Sequence, residues 1–404
     1  MKKLICIVLC IAILASLLTV FTGCVPRDKK LIIYMPGDYM DYSIFADFEA
    51  YYKEVTGEEI KVYPETFDAV EDIQREVEER HSDFDLVCPS DYMVEYLLDK
   101  GLLVELDKSI INVQADGLFR SEYLETTKAF DPELKYAVPY MYGTLGIVYD
   151  YEKTNHKHID SWEALYGSTY AGNRSLKDSI RDTYVSACLY NARDQLTGLT
   201  GDEQKRAVQA LFEDASAETV SNAESLLKIV KAEGGDWDVD DVKFDMAAGK
   251  STAPAVALMW SCDAGYVMND YEDAAGKMQK GNRNLWYVVP KEGGNVYIDA
   301  FVITKYAKNV KAAQMFLAFL CRKDIAIINS ECAGAISPVA AAYDELKAQY
   351  ESDDEMFDGV DPEWKAMFIE AMFPSVDTLN RCGVMKNFSA ADYENISRMW
   401  SRLQ

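Results

Sequence analysis

Phe84-Asp85-Leu86-Val87-Cys88-Pro89-Ser90-Asp91-Tyr92 joins the end of a strand to the start of a helix. After Asp85 the run is continuously apolar, which is the pattern of a strand buried on both faces and therefore of a parallel sheet. Pro89 stops it, and Ser90 stands at an N-cap position before a helix that ends at Gly101. Upstream, Leu31 to Met35 forms a first buried strand, and Pro36-Gly37-Asp38-Tyr39 leads into a helix with Ile44, Phe45, Phe48, Tyr52 and Val55 at helical spacing. Gly57 ends that helix. Glu59 to Tyr63 is a second strand, and Asp68 to Arg80 a charged helix with Val70, Ile73 and Val77 on one face. This β-α-β-α-β order predicts an α/β protein with a parallel sheet, in which ligands meet the carboxyl ends of the strands. Asp38, Tyr39, Ser90 and Tyr92 all fall at such ends.

Downstream, Tyr136 to Tyr149 is a long extended run interrupted by Gly143-Thr144, a step that suggests a flexible crossing between two lobes. Ser161-Trp162 begins a helix. Ser179-Ile180-Arg181-Asp182 begins another with the form of a capping box, which gives Asp182 an ordinary structural use as well as a functional one. Asp202 to Gly249 reads as helical throughout, and Ala255 to Trp260 as a strand that delivers Trp260 to its carboxyl end. Gly249-Lys250-Ser251 mimics the end of a phosphate loop, but Phe244 fills the position of the first glycine. Val310 to Leu320 is an amphipathic helix, a second follows to about Cys332, and the tail from Ala340 is helical.

Between these lies Trp286-Tyr287-Val288-Val289-Pro290-Lys291-Glu292-Gly293-Gly294-Asn295-Val296-Tyr297-Ile298-Asp299-Ala300. Leu285 to Val289 is strand-like, Gly293 and Gly294 supply a turn needing positive φ, and Asn295 to Ile303 is a second run that Asp299 interrupts. Tyr297 and Asp299 point the same way from an extended chain, and an aromatic face beside an anion is a cation-binding pair. The plain alternative is a tyrosine and an aspartate on a solvated strand edge.

Met1-Lys2-Lys3 is a basic start, Leu4 to Val20 an apolar core, and Phe21-Thr22-Gly23-Cys24 closes with small residues before a cysteine. Residues 1–23 are therefore expected to be an export signal. The junction resembles the bacterial lipobox, which implies that Cys24 is lipidated and that 24–30 is a tether holding the body outside the cytoplasm on the membrane surface; the alternative is a retained transmembrane helix, since the apolar run is nearly long enough to span a bilayer. The full chain carries a formal charge of −26, or −28 without the two lysines of residues 1–23. Such acidity excludes nucleic acid as a partner, because phosphates require basic patches. Cys88, Cys188, Cys262, Cys321, Cys332 and Cys382 show no C-x-x-C spacing and read as small hydrophobes, with one disulfide allowed by the exported compartment. His156 and His158 lack a nearby third ligand, so neither a metal site nor any cofactor is expected.

The order and spacing of Phe84 to Tyr92, Tyr136-Ala137-Val138-Pro139-Tyr140, Ser179 to Asp182, and Val289 to Gly294 with Asp299 resemble those of the polyamine-binding proteins of ABC importers, the spermidine/putrescine family. The resemblance implies a periplasmic-binding-protein-like type II fold of two α/β lobes closing on a ligand cleft, with crossings near Gly143, Tyr297 to Asp299 and Ala342. Lobe 1 would then be 31–143 with 299–342, and lobe 2 would be 144–298 with 343–404. It also implies a polyamine ligand, spermidine or putrescine, and an ABC permease with its ATPase subunits as partners of a monomer without catalysis. Asp38, Tyr39, Ser90, Tyr92, Asp182, Trp260, Tyr297 and Asp299 match the family's ligand-binding positions, and Asp178 is the candidate for a second acid near Asp182, unless Ser179 replaces it. Pro36, Ala335 and Lys386 depart from a family Trp, Tyr and Gln, so part of the aromatic wall is missing. Two other readings remain: the same fold with another organic cation, a thiamine-like compound or a metal, and a secreted enzyme. The latter lacks a Ser/His/Asp arrangement or a phosphate loop.

Overall fold

The computed structural model describes residues 25–238, 241–272, 277–353 and 356–404; the expected export signal and Cys24 lie outside the described residues. The strands are β1 (Lys30–Pro36), β2 (Lys61–Phe67), β3 (Leu86–Val87), β4 (Ala137–Asp150), β5 (Arg174–Lys177), β6 (Asp236–Asp238), β7 (Val256–Trp260), β8 (Tyr271–Glu272), β9 (Met278–Gln279), β10 (Leu285–Val288), β11 (Gly294–Ile303) and β12 (Cys382–Gly383). One large sheet runs in the order β2-β1-β3-β11-β4-β7-β5-β6, with β10 on β4 and β12 on β11, while β8 and β9 pair apart from it. β1 is parallel to β2 and β3, and β5 is parallel to β6 and β7. β11 and β4 are antiparallel to each other, and they join the two parallel sets.

The apolar runs account for this order. β1 buries Leu31, Ile33 and Met35 on one face, against Phe48 of the helix Ile44–Thr56 and Phe316 of the helix Val310–Leu320. Phe48 and Phe316 meet edge to face, with centroids 4.9 Å apart. On the opposite face Tyr34 stacks on Phe84 at 4.4 Å, in a second core that continues through Leu176 and Leu258. Asp85, the acid before the apolar run, is fully buried. It accepts from the backbone N–H groups of Ile32, Lys308 and Asn309 at 2.8–2.9 Å and pairs with Arg27 at 3.0 Å, so its buried charge is neutralised and bonded.

Several expectations require correction. The charged helix begins only at Glu71 and continues as a π-helical turn, Arg75–Glu79. The stretch from Asp202 to Gly249 is not helical throughout, because β6 interrupts it and adds a strand to the sheet edge. Of the two turn glycines only Gly293 has positive φ, 114°, whereas Gly294 starts β11. Gly143 is explained by close approach: it pairs with Tyr297, and a Cβ there would lie 2.3 Å from the Tyr297 hydroxyl. The six cysteines among the described residues are free thiols, and no described helix is long and apolar enough to cross a membrane.

Candidate functional site

β11 positions the centre of the site, and its start is fixed by three groups. Buried Glu292 accepts from the Ser161 hydroxyl and the Trp162 amide, the Trp162 indole donates to the Gly293 carbonyl at 2.9 Å, and a Cβ on Gly293 would lie 2.5 Å from the Arg381 carbonyl. The strand then pairs with β4 in continuous register from Asn295 to Asp299, and shifts between Asp299 and Ala300. Such a bulge re-aims a side chain, and here the side chain is the carboxylate that breaks the apolar alternation.

Asp299 is held by two hydroxyls from the carboxyl ends of β1 and β3. Tyr39 donates to one oxygen at 2.6 Å and Ser90 to the other at 2.6 Å. Ser90 occupies the N-cap position of the helix Asp91–Asp99, yet makes no side-chain cap bond, because its hydroxyl is turned to Asp299 instead. Burial raises the Asp299 carboxyl above the ordinary aspartate value while the Ser90 and Tyr39 donors pull it down. The Tyr39 hydroxyl is pushed well up by burial and by the Asp299 charge, so it stays protonated and donating. Tyr140 supports Tyr39, donating to its carbonyl at 2.7 Å with the rings edge to face.

Tyr297 and Trp260 continue the site from Asp299, their centroids 6.2 Å apart and their planes tilted by 57°. The Tyr297 hydroxyl donates to Cys262 Sγ at 3.0 Å, and burial raises both groups above their usual values. Tyr92 lies further along. Its hydroxyl donates to Glu71 at 3.2 Å, and the Arg181 guanidinium stacks on its face at 3.8 Å. Asp182 is buried next to Arg181 in sequence, and its amide donates to Ser179 at 3.4 Å, so the Ser179 cap forms. Asp38 is exposed in a left-handed conformation, φ 52°. Burial raises the Cys332 thiol and the Tyr42 hydroxyl, and the Asp38 charge adds to both, beside that of Asp41 at Cys332. Asp178 is exposed and accepts from Gln404 at 3.1 Å. The hydrogen bonds thus bring Tyr39, Ser90 and Asp299 together, with Tyr297 and Trp260 adjoining, while Asp178 bonds Gln404 and Asp38 is exposed. Lys386 pairs with Glu95 and donates to the Ala129 carbonyl at 2.5 Å.

Two residues escaped sequence reasoning. Lys177, the last residue of β5, places its ammonium 3.8 Å from the Trp260 ring centroid. Asp91 is 1 % exposed, and one of its oxygens accepts the Tyr92 amide at 2.7 Å while the other has no hydrogen-bond partner. Burial, reinforced by the Asp299 charge, holds the Asp91 carboxyl well above its ordinary value.

Residues 44–358 match the family model of the bacterial extracellular solute-binding proteins. The chain belongs to that family. The putrescine-binding periplasmic protein PotF of Escherichia coli K12 is 25 % identical over 373 residues, covering 90 % of this chain and 92 % of its own. The spermidine/putrescine-binding periplasmic protein of Salmonella typhimurium is 27 % identical over 304 residues, covering 74 % of this chain and 76 % of its own. Among solved structures, the spermidine/putrescine ABC transporter substrate-binding protein PotD of Streptococcus pneumoniae superimposes with a TM-score of 0.68 at 26 % identity, over 93 % of this chain and 98 % of its own. As a member of this family the protein is an extracytoplasmic solute-binding protein with the periplasmic-binding-protein-like α/β fold. Its relatives are binding proteins.

Proposed function

We propose that this solute-binding protein captures putrescine or spermidine between two lobes and hands it to an ABC permease driven by ATPase subunits, without catalysis. One observation carries the reading: a half-buried carboxylate, Asp299, held by neutral donors on both oxygens and adjoined by the aromatic rings of Tyr297 and Trp260. A polyamine is an apolar chain with ammonium ends, so rings suit its methylenes and a carboxylate suits its charge. The substrates in the relatives' names have this chemistry. The lobes of this reading are 31–143 with 299–342, and 144–298 with 343–404. Cys24 carries the lipid that anchors a monomer by the tether 24–30, after removal of residues 1–23. Calorimetric titration of residues 25–404 with putrescine and with spermidine tests the ligand. Saturable one-to-one heat with at least one of them is expected, and no heat with either at millimolar concentration would overturn the reading.

A further inference from the structure

The Lys177 ammonium sits where an aromatic wall would receive a ligand's ammonium. β5 and β7 run parallel from Arg174 opposite Val256, so Lys177 and Trp260 are the final residues of neighbouring strands at the same edge of the sheet. Lys177 is 6 % exposed, so its stem is packed and its head is directed by the fold. At 3.8 Å from the ring centroid the ammonium is in contact with the face, and no second cation fits between them. A ligand ammonium reaching the same face must displace Lys177 or bear the repulsion of a like charge in a desolvated site.

We propose that Lys177 is the residue that sets ligand length here: it occupies one cation seat itself, so the site takes a short diamine and disfavours a triamine. The inference rests on the polyamine reading. Asp299 receives one ammonium, Tyr297 lies two residues before it on the same strand, and Trp260 is the next ring along, 6.2 Å from Tyr297. A short diamine engages Asp299 and Tyr297 and ends before Trp260, whereas a triamine extends onto the face that Lys177 covers. The sequence concealed this because β5, Arg174-Ser175-Leu176-Lys177, has a cation at each end and too few residues to show alternation.

The test is calorimetric titration of wild type, Lys177→Met and Lys177→Arg with putrescine and spermidine, each variant first shown to melt cooperatively. Wild type is expected to prefer putrescine. Lys177→Met, which keeps the stem and removes the charge, is expected to raise spermidine affinity relative to putrescine at least tenfold, and Lys177→Arg, which keeps a cation on the ring, to preserve the wild-type preference. Polyamine binding with a spermidine-to-putrescine ratio unchanged in Lys177→Met would overturn the inference and leave the polyamine reading standing. Absence of binding to all three proteins would overturn that reading itself. If Lys177→Met does not fold, the folded Lys177→Arg protein decides: loss of the putrescine preference with the cation still present would overturn the inference.

Discussion

The half of the sheet ordered β2-β1-β3-β11 and the half ordered β6-β5-β7-β4 repeat one arrangement, three parallel strands with a long antiparallel strand beside the third. They bring different chemistry to the common edge. The first half ends its strands in hydroxyl donors, Tyr39 after β1 and Ser90 after β3, while the second ends them in Lys177 and Trp260. The anion belongs to neither parallel set, since Asp299 comes from β11, one of the two strands that join them. Geometry is therefore duplicated while charge is not, and the specificity of the site resides in which half surrounds that carboxylate.

Removing the shared charge breaks the comparison most severely. Asp299→Asn preserves shape but leaves a bound ammonium without its counter-ion, a loss of about 2–5 kcal/mol, or roughly 30-fold to several thousand-fold in affinity for putrescine or spermidine. Asp178→Asn is the contrast, because an exposed acid bonded to Gln404 contributes only about 0–1 kcal/mol. The empty protein should respond in the opposite sense. Burial raises the Asp299 carboxyl in the folded state, so its contribution to stability is full below the unfolded value near 3.8 and is lost as pH rises through the folded one. Asp299→Asn should accordingly melt at or above wild type at neutral pH, with the difference shrinking as the solution is acidified. Near-wild-type affinity in a folded Asp299→Asn protein would remove the residue from the site.

That carboxylate was legible because it interrupts an apolar strand, and Trp260 because it ends one. Other features were hidden by physical causes specific to each. β6, Asp236-Trp237-Asp238, has no apolar alternation to distinguish it from the helices around it, and pairing with β5 alone makes it a strand. Ser90 announced a cap, and its position is that of a cap, yet its hydroxyl bonds a residue 209 positions away. Gly143 suggested a crossing between lobes, and the pattern gave no sign that the ring of Tyr297 leaves no room for a side chain there. Local pattern thus revealed the elements, while contacts between distant segments decided what their residues do.

The donors of the first half sharpen the comparison at intermediate magnitude. A hydrogen bond to a charged group is worth about 1.5–3 kcal/mol, and the Ser90 and Tyr39 bonds both hold the Asp299 carboxyl down against the effect of burial. Ligand binding needs the ionised form, so affinity should fall as pH drops through the Asp299 value, which already lies above that of an ordinary aspartate. Ser90→Ala and Tyr39→Phe should each move that fall to higher pH. Titrations between pH 4 and 8 check it; superimposable pH profiles for wild type and both variants would mean that the two hydroxyls do not control the charge.

The smallest effect is expected at Asp91, and it decides whether the first half carries one buried charge or two. Asp91 stands one residue from Ser90, at the start of the helix Asp91–Asp99, where a carboxylate would ordinarily be favoured by the helix dipole. Burial opposes this and the Asp299 charge adds to the opposition, while the Tyr92 and Ile298 backbone amides and the nearby Arg181 charge only partly offset them, so the carboxyl is held well above its usual value. The oxygen without a partner agrees with a neutral acid, since an ionised oxygen buried without a donor would be far more costly. Asp91→Asn replaces a neutral carboxyl with a neutral amide of the same shape, and its carbonyl can still accept the Tyr92 amide. Its stability should therefore lie within about 1 kcal/mol of wild type by urea unfolding at acid pH, below the ordinary aspartate value, where both side chains are neutral in the folded and the unfolded chain. Because the contribution of a raised folded value is full below the unfolded value and is lost as pH rises towards the folded one, the comparison should already favour the asparagine variant at neutral pH. A loss of more than about 3 kcal/mol at neutral pH would show instead that Asp91 is ionised and paired, because breaking a buried ion pair costs about that much.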